Sequence, residues 1–342
     1  MSEQPQPVAA VPHTDTGAGR GRLGRRRRGA ESLMVPDVEF TSYYGRPVLK
    51  AAPWSADIPA YLFLGGLSGG SALLAAGADL TDRPALRRTA RLGAASSITA
   101  SFGLLVHDLG KPSRFVNMLR VAKVTSPMSV GTWILSAYGP LAGLAAAAEL
   151  RQLVPRRLQP LARLLGFAGR PAGLAAAALG PAVASYTAVL MSDTATPAWH
   201  EAHRELPFVF VGSAASAAAG LGMLGAPVTE AGPARRLALV GAAVEIVAER
   251  RMESSMGLAA ETLHEGTAGT LMRASKALIA AGALGSLVAS RSRVVAAVSG
   301  AALLGGSACA RFGIFHAGQQ SARDPKYTVV PQRERLDARN ST

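Results

Sequence analysis

Eight long apolar runs, separated by clusters of charge, constrain this chain more than any motif in it. The hydrocarbon core of a bilayer takes roughly 20 apolar residues to cross as a helix. Segments at about 58–78, 92–109, 128–148, 172–192, 206–226, 234–251, 274–290 and 294–316 are near that length. A soluble chain carries about a quarter charged residues; here 17% of the 342 residues are charged and 49% are apolar. An alanine-rich soluble bundle would still show a polar stripe along each helix, and these segments mostly show none. The expected fold class is therefore all-α integral membrane, with eight transmembrane helices.

Alanine and glycine dominate the runs, and "GGLSGGSALLAAGA" (65–78) offers a small-residue face for close helix packing. Shifted by 148 residues, "PAYLFLGGLSGGSALLAAGA" (59–78) lies over "PFVFVGSAASAAAGLGMLGA" (207–226). Pro59, Ser68, Leu73, Gly77 and Ala78 then meet Pro207, Ser216, Leu221, Gly225 and Ala226. This faint repeat relates span one to span five and suggests two four-helix bundles. The division expected is a disordered basic tail over 1–45, a first bundle over 46–192 holding the site, a second over 193–318, and a polar C-terminal tail over 319–342.

The tail carries "GRGRLGRRRRGAE", too polar and too rich in Gly and Arg to build a core. No apolar run follows the arginines closely, so neither a secretory nor a twin-arginine leader is expected. Such a stretch holds its end of the first span in the cytoplasm, with attraction to anionic lipid heads as a side effect; no nucleic-acid partner is expected. With eight spans, the face bearing both termini holds 22 of the 36 Lys and Arg and the opposite face 13, Arg311 lying inside span eight. The positive-inside rule then places the termini in the cytoplasm. Cys309 is the single cysteine, so the chain itself builds no disulfide, zinc site or cysteine-ligated iron–sulfur cluster.

Chemically capable residues gather on the terminal face. All six histidines (His13, His107, His200, His203, His264 and His316) fall there or at its helix ends, as do Trp54, Trp133 and Trp199. An ordinary aromatic belt marks both interfaces, so the asymmetry points to a working surface. An ionisable group inside a span costs about 2.5–3.5 kcal/mol on insertion scales and is kept for a function or a partner. Asp57 and Tyr61 are four apart and share a helical face. His107 and Asp108, in "LLVHDLGKPSRF" (104–115), end span two at the same depth. A carboxylate within reach of an imidazole raises its pKa and fixes its tautomer, so the pair is suited to exchange a proton with a carbonyl or hydroxyl. The alternative is that both residues merely cap the helix and reach the headgroups; convergence with Asp57, Tyr61 and Trp133 favours a site.

Two further clusters stand out. "WHEAHRE" (199–205) spaces His200 and His203 helically beside Glu201 and Glu205, but a metal wants three or four ligands in defined geometry. It reads as an interfacial turn, and no metal site is expected. Glu245 and Glu249, four apart with Arg250 and Arg251 following, suit a proton wire or, the preferred assignment, a structural ion pair with Arg311 or an interfacial cluster.

Three stretches carry a family resemblance: "YYGRPVLKAAPWSADIPAYLFLGGLSGGSALLA" (43–75), "LLVHDLGKPSRFVNMLRVAKVTSPMSVGTW" (104–133) and "SARDPKYTVVPQRERL" (321–336). They resemble the NrfD family, the polysulfide reductase membrane subunits, over about residues 43–336. The resemblance implies a multi-pass subunit of the bacterial cell membrane, holding no permanent redox cofactor and not catalytic alone. Its partners would be a ferredoxin-type iron–sulfur subunit, which alone carries clusters, a molybdopterin catalytic subunit and membrane lipid. Its substrate would be a quinone or quinol, menaquinone or ubiquinone. Carried onto this chain, Asp57, Tyr61, His107 and Asp108 would line or border the quinone site, with Trp133 and Ser129 beside it. Lys111 and Arg114 would shape its mouth or the docking surface.

Quinone reduction takes two electrons, here from the partner's clusters, and two protons, here through His107 and Asp108 as general acid or base. The competing classes are a transporter or proton-translocating channel and a structural anchor without quinone chemistry. Transporters place polar sites near the midplane, whereas these groups crowd one interface.

Overall fold

The computed structural model of the protein describes residues 47–111, 113 and 115–341, so the expected basic tail and Arg114 lie outside the described residues. In chain order its helices are α1 (Asp57–Leu80), α2 (Pro84–Asp108), short α3 (Phe115–Met118), α4 (Pro127–Glu149), α5 (Gln159–Ser192), short α6 (Pro197–Glu201), α7 (Leu206–Gly225), α8 (Gly232–Ser255), α9 (Gly266–Val288), α10 (Arg293–Arg323) and α11 (Lys326–Asn340). Among the described residues there is no strand. Each apolar segment of the sequence falls on one of the long helices, and six of these, α1, α4, α5, α7, α9 and α10, are long and apolar enough to cross a membrane. The other two, α2 and α8, carry too many polar side chains to meet that measure on composition. The polar C-terminal segment is helical: α10 runs to Arg323 and α11 follows, with Tyr327 buried.

Local chemistry sets the helix ends. Pro84, Pro127 and Pro197 open their helices at positions where the missing N–H costs nothing. Ser126 Oγ accepts from Ser129 N–H at 3.5 Å and Ser292 Oγ from Val295 N–H at 3.4 Å, capping α4 and α10. Just past α2, Gly110 adopts a φ of +65° that a side chain would resist, and the chain turns away from the helix.

The helices α1, α2, α4 and α5 pack on one another, as do α7 to α10, and α1 touches α7 and α10 as well. Two cores fill the interior, each drawing on both sets of helices. Close contact at α1 follows from its glycines. A Cβ on Gly69 would stand 2.4 Å from the Gly180 carbonyl oxygen of α5, and one on Gly70 2.5 Å from that of Ala214 in α7. Between these two contacts and the helix start, Ser68 donates to the Ala94 carbonyl of α2 at 2.7 Å and meets the Tyr138 hydroxyl of α4 at 2.7 Å.

At the end of these helices away from the termini, charge is clamped. Arg87 lies 2.7 Å from Glu149 and 3.3 Å from Asp79, Arg91 2.9 Å from Glu149, and Arg170 3.1 Å from Asp79. The network ties α1, α2, α4 and α5 together, and Arg91 is buried.

Candidate functional site

A short turn at Thr81–Arg83 makes α1 and α2 antiparallel, so the entry to α1 lies beside the end of α2. Two polar links join them there. Asp57 Oδ2 stands 2.6 Å from His107 Nδ1. A carboxylate oxygen only accepts, so Nδ1 carries the proton and donates. One turn away, Asp108 Oδ1 accepts from the Ser55 hydroxyl at 2.8 Å and the Ser55 N–H at 3.2 Å. Ser55 Oγ in turn accepts from the Asp57 N–H at 3.2 Å. The imidazole is 80% exposed and Asp57 25% exposed. With Nδ1 committed, Nε2 faces outward as the group able to give or take a proton.

The structure therefore corrects the pairing of His107 with its chain neighbour Asp108. Adjacent helical residues point about 100° apart, and the carboxylate that reaches the imidazole is Asp57, fifty positions earlier in sequence. Asp108 holds the entry segment instead. Ser55, absent from the residues expected, completes the cluster; the signal was its place two residues before Asp57, just ahead of a helix start.

Tyr61 lies deeper. It is buried, its hydroxyl bonds the Tyr186 hydroxyl of α5, and its carbonyl accepts from Ser101 of α2 at 3.1 Å. Gly131 of α4 makes room, since a Cβ there would stand 2.5 Å from the Tyr186 ring. Tyr61 thus closes the floor beneath the cluster rather than offering a ring at its surface.

Ser129 and Trp133 serve the loop between α3 and α4. Ser129 Oγ donates to the Val121 carbonyl at 2.9 Å and accepts from the Lys123 N–H at 2.9 Å. Trp133 Nε1 donates to the same carbonyl at 3.4 Å, which leaves its ring 45% exposed on the outside of α4. Lys111 is exposed in the turn after α2.

Two cavities flank the cluster. An apolar groove of about 460 Å³ runs between α2 and α4, walled by Ile98, Phe102, Val106, Leu119, Leu135 and Pro140. Val106 stands next to His107 in the chain. A wider cleft of about 900 Å³ has Trp54, Ser55, Phe315, His316, Gln319 and Arg323 in its walls. Behind it Trp54 stacks on Trp199 at 5.4 Å, and Trp199, almost fully buried, donates to the Ile314 carbonyl at 2.8 Å. A Cβ on Gly318 would stand 2.0 Å from that indole. His200 and His203 turn their Nδ1 atoms to the carbonyls of Ser192 and His200, at 3.2 and 3.0 Å. Among the described residues no group of three or more His, Cys, Asp or Glu is placed to hold a metal.

Apolar helices of membrane-crossing length, with a hydrogen-bonded polar cluster at one end, define an all-α integral membrane protein. The family described as "Polysulphide reductase, NrfD" matches residues 48–232, more than half of the chain and all of the cluster, and the chain belongs to that family. Membership makes it a membrane subunit of the polysulfide- or quinone-linked reductase class, whose members ordinarily work with iron–sulfur and molybdopterin subunits. The match is shorter than the resemblance over about 43–336. No curated protein matches the chain.

Proposed function

We propose that this subunit binds a quinone or quinol at the terminal end of α1 and α2 and exchanges protons with it while an iron–sulfur partner exchanges the electrons. The observation that carries the proposal is the His107–Asp57 bond beside an apolar groove. The groove between α2 and α4 suits an isoprenoid tail, and Val106 in its wall sits at the same depth as exposed His107, so a head group reaching past the groove's edge would meet the imidazole.

The chemistry balances simply. A quinone takes two electrons from the partner's clusters and two protons from the protein, and becomes a quinol. Protonated His107 gives one proton from Nε2 to a quinone oxygen, and Asp57 stabilises the imidazolium that precedes transfer. Exposed His107 is then reprotonated from the aqueous face, with Asp108, held by Ser55, close by to relay that proton. In the oxidising direction each step reverses, with His107 as base. Tyr61 and Tyr186 keep the floor closed to water, and Trp133 offers an apolar face beside the groove. Lys111 and Arg114 would meet the partner subunit.

The test is His107→Ala in the assembled complex. Turnover with quinone should fall about 100-fold, the scale of a lost general acid, while partner subunits still copurify. Unchanged quinone turnover with intact assembly would overturn the proposal.

A further inference from the structure

Outside the quinone cluster, the charges most costly to place lie in the second set of helices, beyond the segment matched by the family. Glu245, Glu249 and Glu253 recur every fourth residue on α8 and so form one stripe. Glu245 and Glu249 are 2% and 5% exposed. At 1.5 Å rise per residue, Glu245 sits roughly 15 Å below the terminal end of α8.

Basic groups alternate with this stripe from three other elements. His264, exposed on the terminal face, places Nε2 4.0 Å from Glu253. Lys276 of α9 reaches up to both Glu253, at 2.6 Å, and Glu249, at 3.4 Å. Arg311 of α10 is the opposite charge facing Glu245, which also meets Ser213 and, at 3.3 Å, Ser216 of α7. The Arg311 guanidinium lies 3.5 Å from the Phe210 ring centroid and donates to the Phe210 carbonyl at 2.7 Å, yet its Nε and other terminal nitrogen have no hydrogen-bond partner. Glycines make the room. A Cβ on Gly66 would stand 3.1 Å from Arg311, and one on Gly212 2.6 Å from the Glu245 backbone nitrogen.

The charge count decides what such a stripe does. Three carboxylates face two permanent cations and one imidazole. Lys276 is shared by Glu249 and Glu253, and among the described residues no cation stands within ion-pair distance of buried Glu245; a buried charge so poorly paired is expensive enough that the group takes a proton instead. The proton has a route. It enters at His264 or Glu253 on the face, passes the carboxylates along the stripe, and reaches Glu245. It goes no further: along α7 to α10, among the described residues, the next Asp, Glu, His, Lys or Arg beyond the Glu245–Arg311 level are Arg235, Arg236 and Arg293, in the first turns at the opposite helix ends, roughly 13 Å of helix away from Glu245 along α8.

We infer that the second helix set holds a blind-ended proton store, loaded from the terminal face through His264, Glu253 and Glu249 onto Glu245. It lies apart from the quinone cluster and does not depend on the quinone proposal.

The test is infrared difference spectroscopy of the intact complex in membranes, stepped across about pH 5 to 9. A carbonyl stretch of a protonated carboxylic acid should appear as pH falls, shift in D₂O, and vanish in Glu245→Gln. Glu253→Gln, which is nearer the surface and gentler on folding, should keep that band and slow its H/D exchange about tenfold. A spectrum of Glu245→Gln identical to the parent would overturn the store. If Glu245→Gln does not assemble, absence of the band from the parent complex overturns it equally. Exchange unaffected by Glu253→Gln would overturn the route, and steady proton flux across vesicles holding the complex would overturn the blind end.

Discussion

The two ends of the α1–α2 hairpin are both rich in charge, and they use it differently. At the end away from the termini, each of the four carboxylate oxygens of Asp79 and Glu149 lies within ion-pair reach of Arg87, Arg91 or Arg170, although Asp79 Oδ2 makes no hydrogen bond among the described residues. At the terminal end, Asp57 uses one oxygen on an imidazole whose other nitrogen faces outward. Polarity alone does not mark a site. Bonding capacity left over, within reach of an apolar groove, does.

The largest effect should come from breaking the clamped end. Glu149→Ala leaves Arg91 buried without its 2.9 Å partner, and loss of one member of a buried pair costs about 3–5 kcal/mol. Chemical denaturation in detergent should show that loss, while quinone turnover per folded complex stays within about twofold of the parent. A variant as stable as the parent would show that the clamp is not structural. At the open end the pattern should invert. Asp57→Asn removes the charge behind the hydrogen bond that orients the exposed imidazole, so turnover should drop at least about tenfold with an unchanged melting temperature. Turnover equal to the parent would mean that the Asp57 contact does not orient the imidazole for chemistry. The smallest effect belongs to Trp133→Phe. The ring survives, Ser129 still holds the Val121 carbonyl, and quinone affinity should change by no more than about threefold. A larger change would move the head group toward α4.

The same contrast explains what the sequence disclosed. The apolar helices were legible because hydrocarbon thickness demands a minimum apolar length, which six of the eight expected spans meet, and the small-residue face of α1 because only glycine admits a neighbouring backbone. His107 and Asp108 were visible as costly residues at a helix end. Their partners were not, because adjacency in sequence turns side chains apart on a helix, while antiparallel packing joined positions 57 and 107. Tyr61 shares a face with Asp57, yet lies one turn deeper, where α5 supplies Tyr186. The clamp escaped notice altogether. Asp79, Arg91 and Glu149 belong to three helices, and no local spacing announces their meeting.

One consequence follows from the bare backbone at Gly69 and Gly70. With carbonyls of α5 and α7 occupying the space that any methyl group would need, no other residue fits there without parting the helices. A survey of tolerated substitutions would find its deepest intolerance mid-way along α1, in a stretch with no reactive group. In this molecule, sensitivity to replacement is a guide to where helices touch and a poor guide to where chemistry happens.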